Sequence, residues 1–329
     1  MENLCGAVDC SNGHSSGKGY PLHALMVYGL ESESIDPLSL HVFSTKGEDF
    51  KSQWDEEKKD FERVLPLIAS SAYDRIIVED RGCDDEKRFL YFVNELGASF
   101  VTRVHAGTKS RKVLIQKDKT EYDSISIKDL SEKMKGASGA SREWYNKKLG
   151  KTLTSKIAYQ QVFLEGHTDV PLYAVFCYSE GFLEPLVVLT DLRTESALDA
   201  WKHFFYYKKR WEVENFYRAA KQQFGMEEFL ILGFEKIRAL LFLVMIAYHL
   251  LRKLQAKAEA FLGVVHILFK QFCRGQQRST EHPLDLLAFL RSIFAGTASQ
   301  YRFYALHFKK HLSYICSNQP SLFPNAKKW

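Results

Sequence analysis

Short apolar or alternating runs come first along the chain. LCGAVD, HALMVYGL and LSLHVFS are separated by turns rich in Gly, Ser and Pro, and they predict three strands. The period then changes. From about 49 to 72, Phe50, Trp54, Phe61, Val64, Leu65 and Ile68 recur at helical spacing. DRIIVED predicts a fourth strand with β-branched residues at its centre. A second helix follows from about 84 to 96, with Phe89, Leu90, Phe92, Val93 and Leu96 as its apolar positions, and ASFVTRVHAG predicts a fifth strand. Between 106 and 193 the runs KVLIQK, KIAYQQVFLEG, PLYAVFCYSE and EPLVVLTDL flank a Gly/Ser break, KGASGAS, and indicate a β-rich insertion. After Thr194 the pattern is helical to the end, with Thr194 or Ser196 available as the first cap. The order predicts an α/β core in two parts, 1–105 and 194–260, interrupted by the insertion at 106–193 and followed by a helical region at 261–329.

Composition narrows this picture only slightly. The 329 residues are 26% charged and 46% hydrophobic, enough for a sizeable core, and the net charge of +5 permits a nucleic-acid partner without demanding one. Cys5, Cys10, Cys83, Cys177, Cys273 and Cys316 form no C-x-x-C pair and no zinc-type cluster, which fits a reduced, cytoplasmic setting. The longest apolar run, ALLFLVMIAYHLL at 239–251, is too short to span a bilayer and predicts a buried core helix, with no membrane partner.

Candidate chemistry concentrates in YYKKRWEVENFYRAAK, residues 206–221. Treated as one helix at about 100° per residue, Tyr207, Arg210, Glu214, Arg218 and Lys221 fall on one side, opposite Phe205, Val213, Phe216 and Ala220. Such a row is compatible with ordinary i,i+4 ion pairing of Glu214 with Arg210 or Arg218. It is equally what a metal-binding carboxylate among phosphate-gripping cations would look like, because a divalent ion inverts the local charge. The second option requires further carboxylates on rigid elements. Asp80 closes the strand IIVED just before Arg81-Gly82, where open α/β sheets place their sites. Asp9 closes the first strand. Three carboxylates of this kind can hold two Mg²⁺ or Mn²⁺ ions for in-line attack on phosphate.

These residues resemble the bacterial insertion-sequence transposases of the DDE class, in the branch with a β-strand insertion. Tyr207-x2-Arg210-x3-Glu214-x6-Lys221 has that branch's full signature spacing, preceded by LTDL at 189–192; VEDRGCD and AVDCS resemble its second and first aspartate motifs. The resemblance covers most of the chain. It implies an RNase H-like core with a mixed five-stranded sheet, and Asp9, Asp80 and Glu214 as catalytic metal ligands for Mg²⁺ or Mn²⁺. It also implies strand cleavage and strand transfer at double-stranded transposon ends, a homodimer in the DNA complex, and a cytoplasmic, nucleoid-associated location. Tyr207, Arg210, Arg218 and Lys221 would contact DNA; Trp211 and Trp144 could stack on an unpaired base.

The family's usual helical segment before the first catalytic strand has no counterpart ahead of Asp9. That leaves a non-catalytic DNA-binding remnant as the alternative expectation, and a general nuclease as a third. Other signals are read as structural. GHSSGKG at 13–19 lacks the phosphate-loop spacing and predicts a turn. Asp84 and Asp85 suit a helix start, His249 a satisfied core position, and Asp36 a turn, with Asp36 as the reserve carboxylate.

Overall fold

The computed structural model describes residues 5–9, 16–29, 35–68, 75–137, 139, 141–146, 149–222, 224, 226 and 233–261, with backbone alone at 5–9, 16–18 and 254–261. The helical region expected beyond 261 lies outside the described residues. In chain order the elements are β1 (Cys5–Asp9), β2 (Ser16–Gly19), β3 (Leu22–Tyr28), β4 (Ile35–Val42), α1 (Gln53–Val64), β5 (Ile76–Glu79), α2 (Glu86–Leu90), β6 (Ser99–Val104), β7 (Lys112–Gln116) and β8 (Tyr122–Ser126). There follow α3 (Ile127–Lys135), β9 (Ser141–Asn146), β10 (Lys151–Leu164), β11 (His167–Ser179), β12 (Leu186–Thr190), α4 (Ala197–Lys209), α5 (Trp211–Gln222) and α6 (Phe234–Phe261). The chain forms two compact units, Phe61–Glu212 and the combination of Met1–Asp60 with Val213–Trp329.

The unit spanning Phe61–Glu212 is built on one mixed sheet in the order β5-β6-β12-β11-β10-β7-β8, with β9 added along β10. Only β5 and β6 are parallel; the other pairs are antiparallel. Strands β5 and β6 therefore run on into the insertion strands, in one eight-stranded sheet. Strand β6, between β5 and β12, is buried on both faces, and alternation sends its side chains two ways. Phe100 stacks on Phe89 of α2 with ring centroids 4.7 Å apart. Burial of such a ring stabilises by roughly 1.5–3 kcal/mol. Val101 faces the opposite way, into a cluster with Ile157, Val175, Val188 and the α4 residues Ala200, Trp201, Phe204 and Tyr207.

Local signals explain why these elements start and stop. Asp85 caps α2 by accepting from the Lys87 amide. The helix runs into a π turn at Tyr91–Glu95, and Gly97, at φ 57°, supplies the left-handed residue that turns the chain into β6. Asp84 is not a cap: it accepts from the His105 amide and from Arg111 Nε at 2.7 Å. Ser196 and Asp199 form a reciprocal capping box on α4. Three elements escape the hydrophobic pattern. β8 and β9 carry few apolar residues, and α3, with Ile127 and Leu130 as its buried positions, is a short amphipathic helix capped by Ser126. The GHSSGKG stretch, predicted as a turn, ends in strand β2, with residues 13–15 outside the described residues.

In the other unit, β1 pairs with β2 and β3 pairs with β4, both antiparallel. His23 and His41 are cross-strand partners on β3 and β4. Each meets a carboxylate of α1: His23 Nδ1 lies 2.9 Å from Asp60, which also accepts from Ser39 Oγ, and His41 Nε2 lies 3.0 Å from Glu56. Helices α5 and α6 share a core of Phe216, Ala219, Ala220, Val244 and Tyr248. The apolar run 239–251 is only half buried. Leu241, Val244, Tyr248 and Leu251 face inward, while Phe242, Leu243, Ile246 and Leu250 are exposed. His249 bonds Asp36, which lies within β4 and not in a turn, at 2.7 Å.

Buried His203 on α4 generates a test of this packing. Its ring bonds Thr194 Oγ1 at 3.1 Å. Burial lowers its pKa from 6.5 to about 4, against the pull of Asp199. Below the unfolded value the unfolded chain binds a proton that the folded chain refuses until about pH 4, so stability is full above 6.5 and is lost as pH falls through this window. His203→Gln is expected to flatten that loss. Urea midpoints compared at about pH 7 and 5 check it; parallel losses in variant and wild type would clear His203 of the effect.

Candidate active site

The parallel pairing of β5 with β6 sets the site. Their register matches Val78 with Val101 and Glu79 with Thr102. Ile76 and Val78 pack on the cluster under α4, so by alternation Asp80, the next residue on that face, points toward α4 as well. On β6, Arg103 follows Val101 on the same face. Two parallel strands thus end side by side with a carboxylate and a guanidinium turned to one helix. The Glu79 side chain points the other way and is buried against Arg88 at 2.9 Å.

Helix α4 supplies the opposing groups. Ala200, His203, Phe204 and Tyr207 are its buried stripe at i, i+3, i+4 and i+7. Tyr207 is the last of them. Its ring is only 5% exposed, and its hydroxyl donates to Asp80 Oδ1 at 3.2 Å. Arg210 Nη1 lies 3.6 Å from Asp80 Oδ2. The Arg103 guanidinium acts on the same hydroxyl, opposing the rise that burial imposes on the Tyr207 pKa. Burial pushes the Asp80 carboxyl up, but the Arg81 amide, the Arg210 charge and the Tyr207 hydroxyl outweigh it and hold the group below its ordinary value. Asp80 therefore stays ionised at neutral pH with 49% of its side chain exposed. An ionised, accessible carboxylate at a strand end suits a hard divalent cation, which prefers oxygen ligands.

The single helical row predicted over 201–221 does not hold. Helix α4 ends at Lys209, Arg210 lies in a turn, and α5 begins at Trp211. The Arg210 amide bonds back to Tyr207 O at 3.0 Å, an i to i−3 tightening with no Gly or Pro to announce it. Tyr207 consequently belongs to the core stripe of α4 and not to an exposed polar row. The remainder of the row survives on α5, where Glu214, Arg218 and Lys221 lie opposite buried Phe216, Ala219 and Ala220. Trp211 is half-buried at the first position of α5.

Trp144 is not an exposed stacking platform. It sits on β9, donates its indole N–H to Ser155 Oγ at 2.9 Å and meets Phe204 edge-on. Its ring carries the Lys208 ammonium at 4.5 Å from the centroid. Arg103 and Lys208 were absent from the sequence-based candidates. The alternation of ASFVTRVHAG, extended two residues past Val101, is the signal that could have found Arg103; Lys208 depends on β9 crossing back to α4.

Asp9 closes β1, and its side chain lies outside the described residues. Glu214 belongs to the unit that does not contain Asp80. Among the described residues no three His, Cys, Asp or Glu side chains converge as a metal-ligand set. Cys83 and Cys177 are in no disulfide, and burial pushes the Cys177 thiol up to about 11. Among the described residues no helix is long and apolar enough to cross a membrane.

The chain matches no curated protein by sequence. It does match the family model of the transposase DDE domain over residues 10–250. That segment takes in Asp80, Tyr207, Arg210, Glu214 and Lys221, and it begins one residue after Asp9. The match covers well over half of the chain and embraces the Asp80 strand end together with the signature that braces it, so the protein belongs to the DDE transposase family.

Proposed function

We propose that the protein is a metal-dependent DNA transposase that cuts DNA at insertion-sequence ends and joins the freed end to a target, on an RNase H-like core. One observation carries this assignment. The aspartate at the end of β5 is held ionised by Tyr207 and Arg210, the first two residues of the Tyr207-x2-Arg210-x3-Glu214-x6-Lys221 signature, across 127 positions of sequence. Asp80 and the Tyr207–Arg210 end of α4, far apart along the chain, thus meet through side chains.

Asp9, Asp80 and Glu214 would hold the divalent ions, Mg²⁺ or Mn²⁺. When bound, such ions lower the pKa of an attacking water or 3′-hydroxyl and offset charge on the leaving oxygen. The chain's own contribution begins with Asp80. Tyr207 and Arg210 fix its rotamer and keep a proton off it, while about half of its side chain stays exposed for a ligand. Arg210, Arg218 and Lys221 supply cations for the DNA backbone, Arg by two-pronged contact and Lys as a point charge. Trp211 flanks that row. The working molecule is expected to be a homodimer on its DNA, in the cytoplasm and on the nucleoid.

Four substitutions separate these roles. Asp80→Asn and Glu214→Gln are each expected to reduce Mg²⁺-dependent nicking of a labelled duplex by more than about 100-fold while the gel shift persists, because ligand loss exceeds the 10–100-fold effect typical of an outer partner. A variant that nicks at the wild-type rate removes that carboxylate from the reaction. Tyr207→Phe, which deletes only the hydroxyl on Asp80, is expected to reduce nicking by about 10–100-fold with its Mg²⁺ requirement shifted to higher concentration. An unchanged Mg²⁺ titration would mean that the hydroxyl merely packs. Lys221→Ala is expected to lower the slope of log K against log salt by about 1 whatever the duplex sequence. A sequence-dependent effect would instead make Lys221 a base reader.

A further inference from the structure

Lys208 is an unusual lysine for a helix end. Its ammonium is partly buried beneath the Trp144 ring, 4.5 Å from the centroid, and among the described residues no carboxylate lies within ion-pair distance of it. Its charged neighbours are Arg103 and Arg210, both cations, with the buried Cys177 thiol behind. Burial disfavours its charge, and those two arginines push the same way. Asp80 is already engaged by Arg210 and Tyr207. Lys208, Arg103 and Arg210 are thus gathered near the C-terminal ends of β5 and β6.

A buried surface that only had to pack would place an apolar side chain here, since the Trp144 ring lies against this position and the Cys177 thiol is near it. The ammonium is instead held in place. Trp144 is pinned by Ser155, which bonds Ser179 at 2.7 Å, so the ring under Lys208 is fixed by two further strands. Cation–π contact with the ring attracts the ammonium but does not neutralise its charge.

We propose that Lys208 and Arg103, with Trp144 as the positioning residue, form an oxyanion subsite for a backbone phosphate of the DNA strand processed at Asp80. The proposal rests on the reading of this site as one that acts on DNA. It adds two phosphate ligands outside the Tyr-Arg-Glu-Lys signature, and it gives the β9 strand of the insertion a function: it carries the indole that aims a cation at the substrate. The oxygens recognised are the non-bridging pair of a phosphodiester, for which Arg103 offers a planar fork and Lys208 a point charge.

The test uses the full chain, without divalent metal, and a fluorescein-labelled duplex of arbitrary sequence. Lys208→Met is expected to lower the slope of log K against log salt by about 1, so that affinity falls about threefold less between roughly 50 and 200 mM salt. Lys208→Arg should restore the slope. Trp144→Leu should weaken binding with the slope retained, since the charge remains but loses its perch. Independently of any variant, saturating duplex should protect the wild-type Lys208 amine from an acylating reagent, read by mass spectrometry. An unchanged slope in folded Lys208→Met, or undiminished acylation of Lys208 under saturating DNA, overturns the subsite. Because both readouts are binding measurements made without metal, a cleaving Glu214→Gln variant would sink the catalytic assignment and leave this result to stand or fall alone.

Discussion

The contact between the Tyr207 hydroxyl and the Asp80 carboxylate is the point on which the candidate site turns. It joins the edge strand of the large sheet to the last turn of the helix that crosses it. Everything upstream of the contact is packing. The parallel register of β5 and β6 sets the face, the alternation of Ile76 and Val78 aims Asp80, and the buried stripe Ala200-Phe204-Tyr207 fixes the rotation of α4. A slip of one residue in β5 would turn Asp80 to the opposite face. Rigid elements on both sides therefore hold a charged group that is still accessible to solvent, which is how a site keeps a ligand poised without a loop to restrain it.

Charge follows from the same frame. Arg103 and Lys208 reach the site from β6 and α4, and Trp144 reaches Lys208 from β9. The insertion is thus continuous with the sheet that bears Asp80, hydrogen-bonded through β12 to β6. Its antiparallel strands do more than extend the sheet. β10 and β11 form the floor under α4, and β9 closes over the side of Phe204. Removing the insertion would uncover the face of α4 that sets Tyr207.

Several carboxylates elsewhere among the described residues have partners of their own. Asp84 ties β6 to the start of β7 through His105 and Arg111, Asp191 accepts from the Phe100 amide, and the His23–Asp60 and His41–Glu56 pairs fasten α1 to the β3–β4 hairpin. These carboxylates match the candidate ligands in residue type but are engaged structurally. Asp80 differs in being ionised, braced and half exposed at once.

Much was legible from the sequence because it depends on short-range pattern. Hydrophobic period alone marked β5, β6, β10, β11 and β12, the capping residues marked α4, and the spacing from Tyr207 to Lys221 identified the family motif. Tertiary structure decided what such patterns do not encode. A helical wheel assumes a continuous helix, and the turn at Arg210 breaks it without Gly or Pro, so Tyr207 moved from a solvated row to the core. Trp144 stands in a polar stretch with no local signal of its partner, and strand pairing with β10 turned its ring onto α4. The approach of Asp80, Arg103 and Lys208 depends on strand order and on register between segments far apart in the chain. Local propensity carries no record of either, because partners in a sheet are chosen by burial after the chain has collapsed.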